Sequence, residues 1–91
     1  MAKTKTPAAL TIPKATQQVR RRVNKIMPGV MATVESTGSY DLEADVPLIV
    51  TTVTFPYQHP HREMLAAALS PLPDVRRIES EPARIVITRT R

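Results

Sequence analysis

The stretch QQVRRRVNKIMPG, residues 17–29, sets Arg20, Arg21 and Arg22 between two valines, adds Lys25 and contains no carboxylate. Guanidinium and ammonium groups at that density are suited to neutralising phosphates, arginine as a planar fork and lysine as a point charge. The ordinary alternative is a solvated outer face of a helix. Such faces gain from alternating signs at i,i+4, and this segment has no acid to alternate with. A second alternative is pairing within the chain to the acids Asp41, Glu43 and Asp45.

Two other groups of residues invite chemistry. In HPHRE, residues 59–63, His59, His61 and Glu63 could converge on a metal, but a zinc-type site needs further ligands and the chain has no cysteine and no third histidine. The plainer reading is a polar helix start with Glu63 near the positive end of the dipole. Ser36, Thr37, Ser39 and Tyr40 bring hydroxyls to an acidic stretch, with no base beside them in sequence and no phosphate-cradling glycine loop, since the chain holds only two glycines. The expectation is therefore a non-catalytic protein with no metal and no cofactor.

The totals point the same way. The 91 residues carry a net charge of +5, unevenly spread. Residues 1–27 hold seven bases and no acid, residues 28–58 four acids and no base, and residues 59–91 six bases against four acids. A basic end beside an acidic middle is a pattern of polyanion binders. Absence of cysteine excludes disulfides and thiolate metal sites and suggests a cytoplasmic setting. No apolar run reaches the ~20 residues of a membrane span, so no membrane partner is expected.

These side chains need elements to position them. Residues 1–11 read as a flexible basic tail, and residues 12–91 as a single α+β domain. From Ile12 the spacing turns helical: Ile12, Ala15, Val19, Val23, Ile26 and Met27 share about 120° of arc. Pro13 suits a first turn, and Pro28-Gly29 stops the helix. VMATVES then predicts a strand, TGSYDLEADVP a long polar loop, and LIVTTVTF a β-branched strand. Pro60 sits where a second helix should begin, REMLAAALSPL supplies it, and DVRRIES and RIVITRTR follow as strands around EPA.

The two halves, 12–57 and 58–91, repeat one plan of helix, strand, strand. IMPGVMATVES echoes PLPDVRRIES, and LIVTTVTF echoes RIVITRTR. Helix-strand-strand twice is a circular permutation of the ferredoxin-like order. It predicts a two-layer αββαββ sandwich, both helices on one face of a four-stranded antiparallel sheet of order 1-2-4-3. Ile49, Val53, Phe55, Ile85 and Ile87 should face the helices. Leu48, Val50, Thr52, Thr54, Arg84, Val86, Thr88 and Thr90 should form the other, Val/Thr-rich face. That face and the largely apolar second helix both suggest self-association.

Two functions compete. The first is a small basic accessory or regulatory protein that contacts nucleic-acid backbone phosphates through Lys14, Arg20, Arg21, Arg22 and Lys25, with Arg89 and Arg91 from the last strand. With only Tyr40, Phe55 and Tyr57 to stack on bases, duplex backbone is favoured over single strands. The second is a homo-oligomeric assembly subunit, of virus type or ring-forming, that docks its basic helix on the acidic loop of a neighbour.

Overall fold

The computed structural model describes residues 10–91; the expected tail, 1–11, lies almost entirely outside them. Six elements follow in order: α1 (Ile12–Ile26), β1 (Thr33–Asp41), β2 (Val46–Thr54), α2 (Arg62–Leu69), β3 (Val75–Glu81) and β4 (Arg84–Thr90). The strands form one antiparallel sheet of order β1-β2-β4-β3, with both helices packed on one face. This is the predicted α+β sandwich, and its order of elements is consistent with a permuted ferredoxin-like plan.

Local chemistry sets the helix limits. Thr11 caps α1, its hydroxyl accepting from the Lys14 N–H at 3.3 Å, with Pro13 in the first turn where a missing N–H costs nothing. After Met27 the chain turns through Gly29 at φ +82, a left-handed conformation that a side chain would strain. α2 starts at Arg62, two residues beyond Pro60, and ends at Leu69, one residue before Ser70 and the two prolines that follow.

The apolar stripe of α1 is buried as its spacing requires: Ala15, Val19 and Val23 in the helix, with Met27 just past its end. Val19, Val23 and Met27 pack with Leu65, Leu69 and Leu72 from the α2 side, with Val53, Ile85 and Ile87 from the central strands and with Phe55 just past β2. The sheet faces divide as the alternation predicts, Ile49, Val53, Ile85 and Ile87 being fully buried and Val50 and Val86 half-buried. Ile49→Ala, Val53→Ala and Ile85→Ala should therefore each cost about 2–4 kcal/mol in urea unfolding. Val50→Ala and Val86→Ala should cost roughly 1 kcal/mol in the monomer, because their methyls are still partly wet.

Two differences from the sequence reading concern the first hairpin. The strand expected over VMATVES begins only at Thr33 and runs on to Asp41, so most of the expected loop is strand and the turn is only Leu42–Asp45. Ser, Gly and Asp are weak strand formers, but pairing to the strongly β-prone β2 in an unbroken nine-pair register overrides that preference. The turn is closed by Asp45 at φ 57 and by the Asp41 carboxylate, which accepts from the Glu43 and Ala44 N–H groups. The second difference is Thr51, fully buried on the helix-facing side. Its hydroxyl meets Ser36 at 2.9 Å, and Ser36 meets Thr16 of α1 at 2.6 Å, so a row of hydroxyls ties α1 to β1 and β2.

Candidate nucleic-acid interface

α1 carries the basic residues on the side away from its buried stripe. Lys14, Arg21 and Lys25 are exposed and Arg22 is half-buried, at spacings of seven, one and three that keep all four on the outward arc of the helix. Gln18 joins them at i+4 from Lys14. Gln18, Arg21, Arg22 and Lys25 face Leu72 and Pro73 of the α2–β3 connection across a shallow pocket of about 320 Å³. The floor of this pocket is apolar and its α1 rim is cationic. The Gln18 side-chain oxygen is buried without a hydrogen-bond partner among the described residues.

The charges of α1 are uncompensated. Among the described residues the ion pairs are Arg76–Asp41 (3.4 Å), Arg77–Glu79 (3.1 Å) and Arg84–Glu81, and none involves α1. The acidic turn is satisfied elsewhere: Asp41 pairs with Arg76, and Asp45 accepts from the Tyr40 hydroxyl. That bond holds the Tyr40 phenol above its ordinary pKa, because ionisation would set a phenolate against a carboxylate. Pairing within the chain between α1 and the acidic loop is thus not the arrangement adopted.

The remaining predicted residues have different fates. Arg20 is exposed, but its guanidinium donates to the Val34 carbonyl at 3.4 Å, tying α1 to the edge strand β1. Arg91 is exposed at the end of the sheet. A Cβ placed on Gly38 would lie 3.6 Å from its Nη1, so the Arg91 head group lies over the β1 backbone at Gly38.

Arg89 is a correction: it is 1 % exposed and cannot touch a phosphate at the surface. It shares the parity of Ile85 and Ile87 on β4, so the pleat turns it toward the helices. Its Nε donates to the Pro73 carbonyl at 3.0 Å, while Nη1 is buried without a partner among the described residues. Desolvation lowers its pKa, and the charge of nearby Asp74 acts in the opposite direction.

His59 and His61 lie together, ring centroids 5.9 Å apart, but the His59 Nδ1 accepts from the His61 backbone N–H. Among the described residues no three His, Cys, Asp or Glu side chains come together as a metal site would require. The open face of the sheet carries Leu48, Val50, Thr52, Val86, Thr88 and Thr90 on its central strands, without an aromatic side chain for base stacking.

Sequence reasoning missed Gln18 and the Leu72–Pro73 wall. Gln18 was open to discovery, since it stands at i, i+3, i+4 and i+7 with Arg21, Arg22 and Lys25. The wall was not, because only packing of α2 against α1 brings it there.

Fold and site together define a two-layer α+β sandwich that displays one unpaired cationic helix. No family model matches the chain, and no curated protein or solved structure is similar enough to it to match. No helix among the described residues is long and apolar enough to cross a membrane.

Proposed function

We propose that this protein is a non-catalytic nucleic-acid-binding accessory or regulatory factor that grips duplex backbone phosphates with the outer face of α1. The observation that carries this reading is the set Lys14, Arg21, Arg22 and Lys25 on one outward arc with no carboxylate partner among the described residues. Like charges crowded on a helix repel, and a polyanion removes that repulsion while releasing its own counterions. Sequence-independent contact is the mode these residues support, because their charge attracts phosphates of any sequence and nothing in their pattern selects a base.

Fluorescence anisotropy with a labelled DNA duplex, a single strand and an RNA duplex at several salt concentrations tests this. Four to six phosphate contacts predict a log–log salt slope of roughly −3.5 to −5.5 on duplex DNA. No detectable binding at low salt would end the reading.

The acidic turn supplies a second check. Neutralising Asp41, Glu43 and Asp45 to Asn, Gln and Asn should tighten duplex binding by a few-fold at low salt, since three negative charges then no longer repel the polyanion. The gain should vanish near 1 M salt, where the screening length falls to about 3 Å.

A further inference from the structure

The pocket between α1 and the α2–β3 connection offers more than backbone phosphates use. Its rim carries Arg21, Arg22 and Lys25, which the phosphates of a duplex satisfy from outside. Its opposite wall is Leu72 and Pro73, aliphatic surface that has nothing to give a phosphate. Gln18 lines the same pocket, and its Oε1 is buried without a hydrogen-bond partner among the described residues. An acceptor left in that state is unfavourable. The terminal torsion of glutamine is soft, so a small rotation turns the amide to a donor in the pocket. The pockets at the open end of the β1–β2 hairpin lack this combination, since no lysine or arginine lines them.

Three needs thus meet in one place: an anion for the rim, an apolar body for the wall and an N–H for Gln18. At about 320 Å³ the pocket stands at the lower end of the roughly 300–1,000 Å³ of small-molecule sites. Bases inside a duplex keep their faces stacked and their amines paired. A carboxylate on an alkyl chain would suit rim and wall but leave the Gln18 oxygen unpaired. A nucleotide out of the stack supplies all three, and glutamine matches the amine edge of adenine.

We propose that this pocket binds one unstacked nucleotide, its phosphate on Arg21, Arg22 and Lys25, its base against Leu72 and Pro73, and an exocyclic amine donating to Gln18. The nucleotide comes either free, as a nucleoside monophosphate, or as the unpaired end of a strand whose duplex lies along α1. A phosphomonoester carries about 1.5–2 negative charges at neutral pH, more than an internal phosphodiester, so either source outcompetes duplex interior at this spot. The site rests on the reading of α1 as a phosphate-binding helix, yet its two arms can fail separately.

Amide chemical shifts of the whole chain, titrated at low salt with four probes, test the site. Adenosine monophosphate should bind with a dissociation constant on the order of 0.3 mM, as expected of a shallow pocket, and should shift Gln18, Arg22, Lys25 and Leu72. Purine riboside monophosphate, which lacks only the amine, should bind about 5-fold more weakly. Adenosine and inorganic phosphate should each bind at least ~10-fold more weakly. Gln18→Met keeps the volume and a good helix former, and circular dichroism checks its fold. It should abolish the preference for the amine, a ratio that a general loss of structure would not single out.

No binding of adenosine monophosphate at roughly 10 mM would overturn the proposal. So would equal affinity for inorganic phosphate, shifts that fall outside the pocket, or an amine preference that survives Gln18→Met. Anisotropy then identifies the source, comparing a blunt duplex with the same duplex bearing one unpaired, 5′-phosphorylated dA. A gain of at least ~5-fold assigns the pocket to strand ends, and equal binding assigns it to the free nucleotide. Adenosine monophosphate bound by a protein that ignores duplex would remove the duplex reading and keep the pocket. Duplex bound by a protein that ignores adenosine monophosphate would do the reverse.

Discussion

The variant carrying Arg21→Gln, Arg22→Gln and Lys25→Gln should bind duplex DNA about 10²–10³-fold more weakly at 0.1 M salt. Counterion release gives that figure. Each lost phosphate contact removes about 0.9 of log–log slope, which at 0.1 M is roughly an 8-fold loss, and three contacts multiply. The salt slope should shrink by nearly three units, and the loss should be the same for every DNA sequence tested. Stability should hardly move, since the three side chains lie off the buried stripe and glutamine keeps a good helix propensity. Relief of repulsion along the helix should even raise it by a few tenths of a kcal/mol. Anisotropy titrations at four salt concentrations, with thermal melts of the same samples, check both halves. Unchanged affinity in a folded variant would remove α1 as the binding face.

Arg89 should behave in the opposite way. Arg89→Ala should destabilise the domain by about 2–4 kcal/mol, because it empties the space filled by a fully buried stem. For a chain of this size each kcal/mol shifts the melting temperature by roughly 4–8 °C, so the loss is easily measured. Arg89→Met should lie within about 1 kcal/mol of the parent or above it. Methionine refills the volume and removes a desolvated charge whose Nη1 has no partner and whose one hydrogen bond goes to the Pro73 carbonyl. Neither change should alter the salt slope of DNA binding, since the guanidinium never reaches the surface. A stable Arg89→Ala protein with weakened DNA binding would show that the side chain works as a surface cation after all. Melting curves and anisotropy on the same two variants separate these outcomes.

The contrast between Arg89 and Arg21 shows where sequence pattern and charge counting diverge. Arg89 belongs with a surface cluster by charge, but by the period-two alternation of RIVITRT it belongs with Ile85 and Ile87. The alternation was the better guide, because a strand between two others cannot rotate one residue out of its pleat without breaking its ladder. Thr51 is the same lesson in milder form. Its position between Ile49 and Val53 already marked it as inward, and its hydroxyl is tolerated there because Ser36, itself held by Thr16, satisfies it.

By itself the chain determined its elements and their faces. The 3.6-residue spacing of Val19, Val23 and Met27, the β-branched runs of β2 and β4, and the stops at Pro28-Gly29 and Pro71 are local signals, acting over a few residues of backbone. From them followed two helices over a sheet of order β1-β2-β4-β3, and the outward direction of Lys14, Arg21 and Lys25. Tertiary structure decided what depends on distant partners. Pairing with β2 drew the polar segment Thr37–Asp41 into a strand and left a four-residue acidic turn carrying an exposed Leu42. Packing of the α2–β3 connection against α1 set Leu72 and Pro73 opposite the arginines, and it closed over Arg89. Ion pairing was likewise decided in three dimensions. The Asp41 carboxylate reached Arg76 on the far edge strand, and among the described residues no cation of α1 took a carboxylate partner, because the hairpin carries its acidic turn away from the basic end of the helix.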